Sequence, residues 1–288
     1  MGKWLGALCV MSFLCGCHST TTSQSGSLVV TTPVLEYFAR QLTQGPEQPP
    51  VALAFQPQGK CLHEHQVSSQ EIRTLCSARL VVAQGAGFEP FLQETMKQCP
   101  AVPVVELGNG CADLQVAGKA DPHAWFGAAA TDCLIHKLSM ALQQQDTLRR
   151  TSIAANESKL RQQIKQTWDS LRLEYASLQN TPVISFHGAY GYLARELGMH
   201  VVASFGEEVE DATPSAQAVA ELIAQARAQK VKLLLVGETE SPDLAATVAR
   251  ETGVRVVPLL NMLEGLDTTD SFAYSHVLRL DLERITKQ

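Results

Sequence analysis

Three of the eight histidines stand where an extended segment hands over to a helix: His63, His123 and His187. Neutral imidazole is a good ligand for zinc and other borderline divalent metals, so three imidazoles from separate segments would suffice for a metal centre. In open α/β sheets ligands gather at the carboxyl ends of strands, which is where these three histidines would sit. His65 lies two residues beyond His63 and would project to the same side of an extended chain, with His63 the preferred ligand. The other histidines read blandly: His18 in a polar tail, His136 and His276 in helices, His200 opening a strand. Three His and a water are also the ligands of catalytic zinc, whose bound water has a pKa of about 7. No second general base or substrate-reading motif accompanies them here, so binding rather than catalysis is expected.

The N-terminus and the cysteines speak to compartment. Lys3 precedes an apolar run, Trp4 to Leu14, too short to span a bilayer. The run closes with Leu14-Cys15-Gly16-Cys17, which resembles the bacterial lipobox. Residues 1–16 are therefore expected to be a signal peptide, Cys17 the lipidated new N-terminus, and residues 17–27 a polar tether. Two or more acyl chains would hold such a protein stably on a membrane. With Cys9 and Cys15 removed, Cys61, Cys76, Cys99, Cys111 and Cys133 remain in an oxidising setting. Cys99 and Cys111 bracket a short strand and turn and are expected to form a disulfide, with Cys61 to Cys76 a second pair and Cys133 left over.

These residues need a scaffold. A chain of 288 residues with 45% hydrophobic and 18% charged content holds about two domains and excludes disordered and fibrous classes. Its formal charge is −6 and no basic cluster tracks a phosphate backbone, which excludes nucleic acid as a partner. β-branched runs alternate with helical patterns: 28–32, 51–55 and 80–83, then 183–186, 201–203, 233–236 and 254–257. That alternation is βαβ grammar. Ser241-Pro242 through Gly253 shows an N-cap, a Pro at the first helical position and a stop. Between the two sets, residues 128–181 contain no Gly or Pro, and Leu160, Ile164, Trp168, Leu171, Tyr175 and Leu178 form one helix face. The fold class is thus α/β, with two lobes of mainly parallel sheet (28–147 and 179–288) joined by a long rigid helix over 148–178.

Asp121-Pro122-His123-Ala124-Trp125, Phe186-His187-Gly188-Ala189-Tyr190-Gly191-Tyr192 and Thr213-Pro214-Ser215-Ala216 carry a resemblance. With Val29 to Pro33, Leu80 to Leu92 and Ser241-Pro242-Asp243-Leu244 in the same order, the chain is similar from about Leu28 onward to the cluster A-I metal-binding lipoproteins of zinc and manganese ABC importers. The resemblance implies a metal in the cleft between the lobes. Counting back from Glu71 places the first ligand at His63, though Leu62 replaces the family's Pro and His65 fills its Tyr position. His123 matches the second ligand. His187 matches the third, where zinc members carry His and manganese members Glu. The fourth, an Asp, is replaced by Leu260 or Asn261; a water, Asn261 or Glu238 would complete the shell. The His-rich loop of the family is missing from 108–120, and the acidic run at 207–211 reads as a solvated loop rather than as a segment that concentrates cations near the cleft. The implied function is a monomeric, lipid-anchored, extracytoplasmic receptor that hands Zn²⁺, or less readily Mn²⁺ or Fe²⁺, to an ABC permease.

Overall fold

The computed structural model describes residues 26–46, 48–56, 62, 65–116, 118–186, 188–205, 215–237, 242–262 and 265–287. The first lobe runs β1 (Leu28–Val30), α1 (Pro33–Leu42), β2 (Val51–Leu53), α2 (Ser69–Cys76), β3 (Leu80–Ala83), α3 (Leu92–Met96) and β4 (Val104–Glu106). A small hairpin, β5 (Gln115–Val116) and β6 (Lys119–Ala120), precedes a 3₁₀ turn at Ala124–Phe126 and the helices α4 (Ala128–Gln145) and α5 (Arg150–Glu174). The second lobe runs β7 (Pro182–Phe186), α6 (Gly191–Glu196), β8 (His200–Phe205), α7 (Ala216–Ala228), β9 (Leu233–Gly237), α8 (Pro242–Thr252), β10 (Arg255–Leu259) and α9 (Ala273–Thr286).

Local chemistry explains the boundaries. Thr32 caps α1 through its side chain, with Pro33 in the first turn, where a missing N–H costs nothing. Ser68 and Glu71 form a capping box at α2. β1 and β3 are buried along their whole length, as strands covered on both faces must be, and both are uniformly apolar. Their four-stranded sheet is parallel in the order β2-β1-β3-β4, and the second sheet has the order β10-β9-β7-β8. Read from its first strand, each follows the same plan, with the chain switching sides between its first and third strands. The crevice outside the carboxyl ends of that strand pair is where such sheets bind ligands.

The long helix is α5, 25 residues or about 37 Å. Its buried residues Ile153, Glu157, Leu160, Ile164, Trp168 and Leu171 recur at helical spacing. The helix begins two residues later than the expected 148, and a 3₁₀ turn at Ala176–Leu178 completes the expected span. Among the described residues the larger of two hydrophobic clusters runs through both lobes, from Leu28 and Val82 to Tyr190, Leu235 and Tyr274, while a smaller one around Ile184, Leu222, Leu234 and Val248 lies within the second lobe. Tyr274 of α9 lies against Tyr37 and Phe38 of α1 with ring centroids 6.4 and 5.8 Å apart. Its hydroxyl donates to the Trp125 carbonyl at 2.7 Å and accepts from Trp168 Nε1 at 3.2 Å.

The disulfides differ from the expected pairing. Cys76 joins Cys99, with Cα atoms 5.1 Å apart, and Cys111 joins Cys133 at 5.6 Å; Cys99 and Cys111 are not partners. The reason lies in β4, a strand parallel to β3 that separates Cys99, before it, from Cys111, after it. An extended strand holds its two ends apart. Cys99 therefore meets the end of α2, and Cys111 meets the second turn of α4. Cys61 lies outside the described residues, so the expected Cys61–Cys76 bridge fails through Cys76, already taken, and Cys133 is not left over. Peptide mapping without reductant is expected to recover Cys76 with Cys99 and Cys111 with Cys133. Cys76→Ser with Cys99→Ser should lower unfolding stability by about 3 kcal/mol in the chain-entropy picture, read from denaturant midpoints.

Candidate metal centre

His123 lies in the turn between β6 and α4 and is 3% exposed. Asp121 Oδ1 accepts from the His123 backbone N–H at 2.9 Å and lies 2.8 Å from Nδ1. With the carboxylate ionised, Nδ1 is the protonated nitrogen and Nε2 carries the lone pair. The ring is held edge to face by Phe88 at 5.6 Å and Trp125 at 5.3 Å. Asp121 Oδ2 is buried without a hydrogen-bond partner among the described residues. A buried carboxylate beside an imidazole supplies negative charge to offset a divalent cation.

The carboxyl end of β3 meets the His123 segment, with that of its neighbour β1 alongside. Gln84, just after β3, donates through Nε2 to the Pro122 carbonyl at 2.8 Å. Glu89 turns back onto the same strand ends: it accepts from Gln84 N–H at 2.9 Å, Gly85 N–H at 3.0 Å and the Thr31 hydroxyl. The reversal uses Gly85, Ala86 and Gly87 at φ of 72°, 54° and 87°, a turn that glycine makes without strain. Burial pushes the Glu89 carboxyl above the usual carboxylate range, against those hydrogen bonds.

His65 is occupied elsewhere. Its Nε2 is 3.0 Å from Glu71 Oε1, and its ring packs on Phe55 and Phe91 at 5.1 and 5.6 Å. Burial alone would raise the Glu71 carboxyl, but hydrogen bonds from Ser68 and His65 outweigh it and leave the group below its ordinary value. His63, His187, Glu238, the acidic run 207–211 and Cys17 lie outside the described residues. The strands that end one residue before His187 and Glu238, β7 and β9, are the adjacent switch pair of the second sheet. Leu260 packs its side chain against the core and donates its N–H to Asp281 Oδ1 at 2.8 Å. The Asn261 carbonyl accepts from Trp125 Nε1 at 3.2 Å, so the end of β10 touches the His123 segment. Among the described residues, no group of three or more His, Cys, Asp or Glu is placed to hold a metal ion, and no helix is long and apolar enough to cross a membrane.

Sequence reasoning passed over two further contributors. Asp121 precedes a Pro-His pair, and an acid two residues before a candidate ligand is a readable signal. Tyr192 is not: it is wholly buried, and its hydroxyl accepts from Asp113 N–H at 3.1 Å and Leu114 N–H at 3.2 Å while donating to the Asp121 carbonyl at 3.2 Å. Burial pushes that hydroxyl further up from its ordinary pKa, so it keeps its proton at neutral pH.

The chain resembles the zinc-binding protein AdcA of Streptococcus pyogenes serotype M3, 25% identical over 168 residues, 57% of this chain and 32% of AdcA; it spans about a third of that relative's length. It is also 22% identical over 268 residues to the high-affinity zinc uptake system protein ZnuA of Haemophilus ducreyi, covering 82% of this chain and 84% of ZnuA. A crystal structure of ZnuA superposes with a TM-score of 0.75 at 22% identity, covering 90% of this chain and 97% of that one. The nickel complex of FpvC from Pseudomonas aeruginosa gives 0.77 at 20% identity, covering 90% and 95%. These two likenesses establish the two-lobed fold. The family model for the periplasmic zinc-uptake complex component A matches residues 28–288, nearly all that follows the N-terminal segment, and the chain belongs to that family.

Proposed function

We propose that this protein is an extracytoplasmic, non-enzymatic receptor that captures one Zn²⁺ per chain between its lobes and delivers it to an ABC permease. His63, His123 and His187 are the ligands in this reading, Cys17 carries a lipid anchor, and the receptor acts as a monomer. One observation carries most of the weight: a buried histidine at the carboxyl ends of a parallel sheet whose Nδ1 is engaged by a buried carboxylate. That pairing leaves Nε2 as the ligating nitrogen and raises its basicity, the arrangement that supports metal-bound histidines generally. The engagement of His65 by Glu71 supports His63 as its lobe's ligand. An all-imidazole set favours zinc over manganese, which prefers oxygen ligands. Family membership and the zinc-uptake relatives support the cargo and the permease partner.

Metal analysis of protein purified without chelator, followed by calorimetric titration after metal removal, tests this. One zinc per chain is expected, with manganese and iron displaced by zinc in competition. Protein that takes up no divalent metal would sink the reading, and a preference for manganese would reassign the cargo.

A further inference from the structure

The His123 segment is gripped from the other lobe by one face of one short helix. Tyr192, Arg195 and Glu196 of α6 stand at helical spacings of three and four. The Tyr192 hydroxyl takes two backbone N–H groups and gives to one carbonyl of residues 113–121, which uses its full capacity of one donor and two acceptor positions. Its ring presses on the far side of the same segment: a Cβ at Gly127 would lie 2.6 Å from Tyr192 Cδ1, so only glycine fits there. Arg195 lies over that ring, 5.1 Å from its centroid, and pairs with both Asp113 carboxylate oxygens at 3.0 and 3.2 Å. Glu196 accepts from the Ala128 N–H at 2.8 Å, where α4 begins. Contacts thus fall on both flanks of His123, at 113–121 and at 127–128.

The gripping helix starts at Gly191, four residues after His187. The spacing between the two lobes' candidate ligands is therefore set over a short path, through α6 and the Tyr192 hydroxyl. We propose that Tyr192 is a positioning residue for metal capture, holding the His123 segment at a fixed distance from the segment that carries His187. It touches no metal itself and acts through the backbone of Asp113, Leu114 and Asp121 and through Gly127. The inference rests on the zinc-receptor reading above and adds a residue to it.

Tyr192→Phe keeps the ring against Gly127 and removes only the hydroxyl. In the metal-free protein, amide hydrogen exchange at Asp113 and Leu114 should accelerate, because both lose their acceptor. Zinc affinity should fall about tenfold or more, the range found when groups that orient metal-bound histidines are removed, and the visible spectrum of the Co²⁺ form should change as the ligand geometry loosens. Should Tyr192→Phe not fold, Asp113→Asn with Arg195→Gln cuts the outer part of the same grip and carries the test. Faster exchange with parental zinc affinity and cobalt spectrum would overturn the proposal. His123→Ala is measured alongside: if it loses zinc while Tyr192→Phe keeps it, the positioning role alone falls, and if it binds zinc as the parent does, the site assignment falls and the proposal with it.

Discussion

His123→Ala is expected to lower zinc affinity by at least about a hundredfold. Groups that merely orient a ligand cost about 10–100-fold when removed, and loss of the ligand itself must exceed that. Asp121→Asn supplies the intermediate step. Its side chain no longer brings a charge to Nδ1 at the observed 2.8 Å, so a loss within the 10–100-fold range is expected. Calorimetry on metal-free protein, with circular dichroism to verify the fold, reads both. His187→Ala should match His123→Ala, since each removes one imidazole of the proposed three. Parental binding by both alanine variants would show that this family fold holds its metal elsewhere or has lost it.

The second large effect concerns the join between the lobes. Trp125 is fully buried and contacts Phe88 and Phe126, with ring centroids 5.3 and 6.2 Å away. It also donates to Asn261 and accepts from Tyr274, so a residue that precedes α5 is bonded to two that follow it. Trp125→Ala should cost about 3–5 kcal/mol, the range for removing a buried aromatic, with loss of the indole N–H bond to the Asn261 carbonyl adding to it; the main-chain carbonyl that accepts from Tyr274 stays in place. Because one core runs through both lobes, denaturant should unfold the parent and the variant in one transition of similar slope, with only the midpoint lowered. Two separate transitions in the parent, or a loss below about 1 kcal/mol, would contradict a shared core.

Pattern carried the scaffold well and pairings poorly. Continuous apolar runs such as Leu80 to Ala83 are legible because parallel strands bury both faces, and the stripe from Leu160 to Leu178 is legible because a helix repeats every 3.6 residues. Cys99 and Cys111 stand twelve positions apart with a legible short strand between them, yet no local signal says that this strand, β4, lies beside β3 with Cys76 near Cys99 and Cys133 near Cys111. His123 and its neighbouring acid share a motif and could be read together. Tyr192 lies within the family-like block but shows its role only when α6 is docked on the other lobe, 71 residues from the carbonyl it binds. Leu260 and Asn261 are legible as departures from a ligand position; that Leu260 joins the core and Asn261 bonds to Trp125 are facts of packing.

The ring of Tyr274 also sets an order of events during synthesis. It closes the space beside Tyr37 and Phe38 and bonds to Trp125, which lies 149 residues earlier in the chain. A growing chain that has produced the whole first lobe still lacks this wedge until α9 has emerged, so its apolar surface near α1 stays open to water or to a chaperone. Completion is thus deferred to late translation.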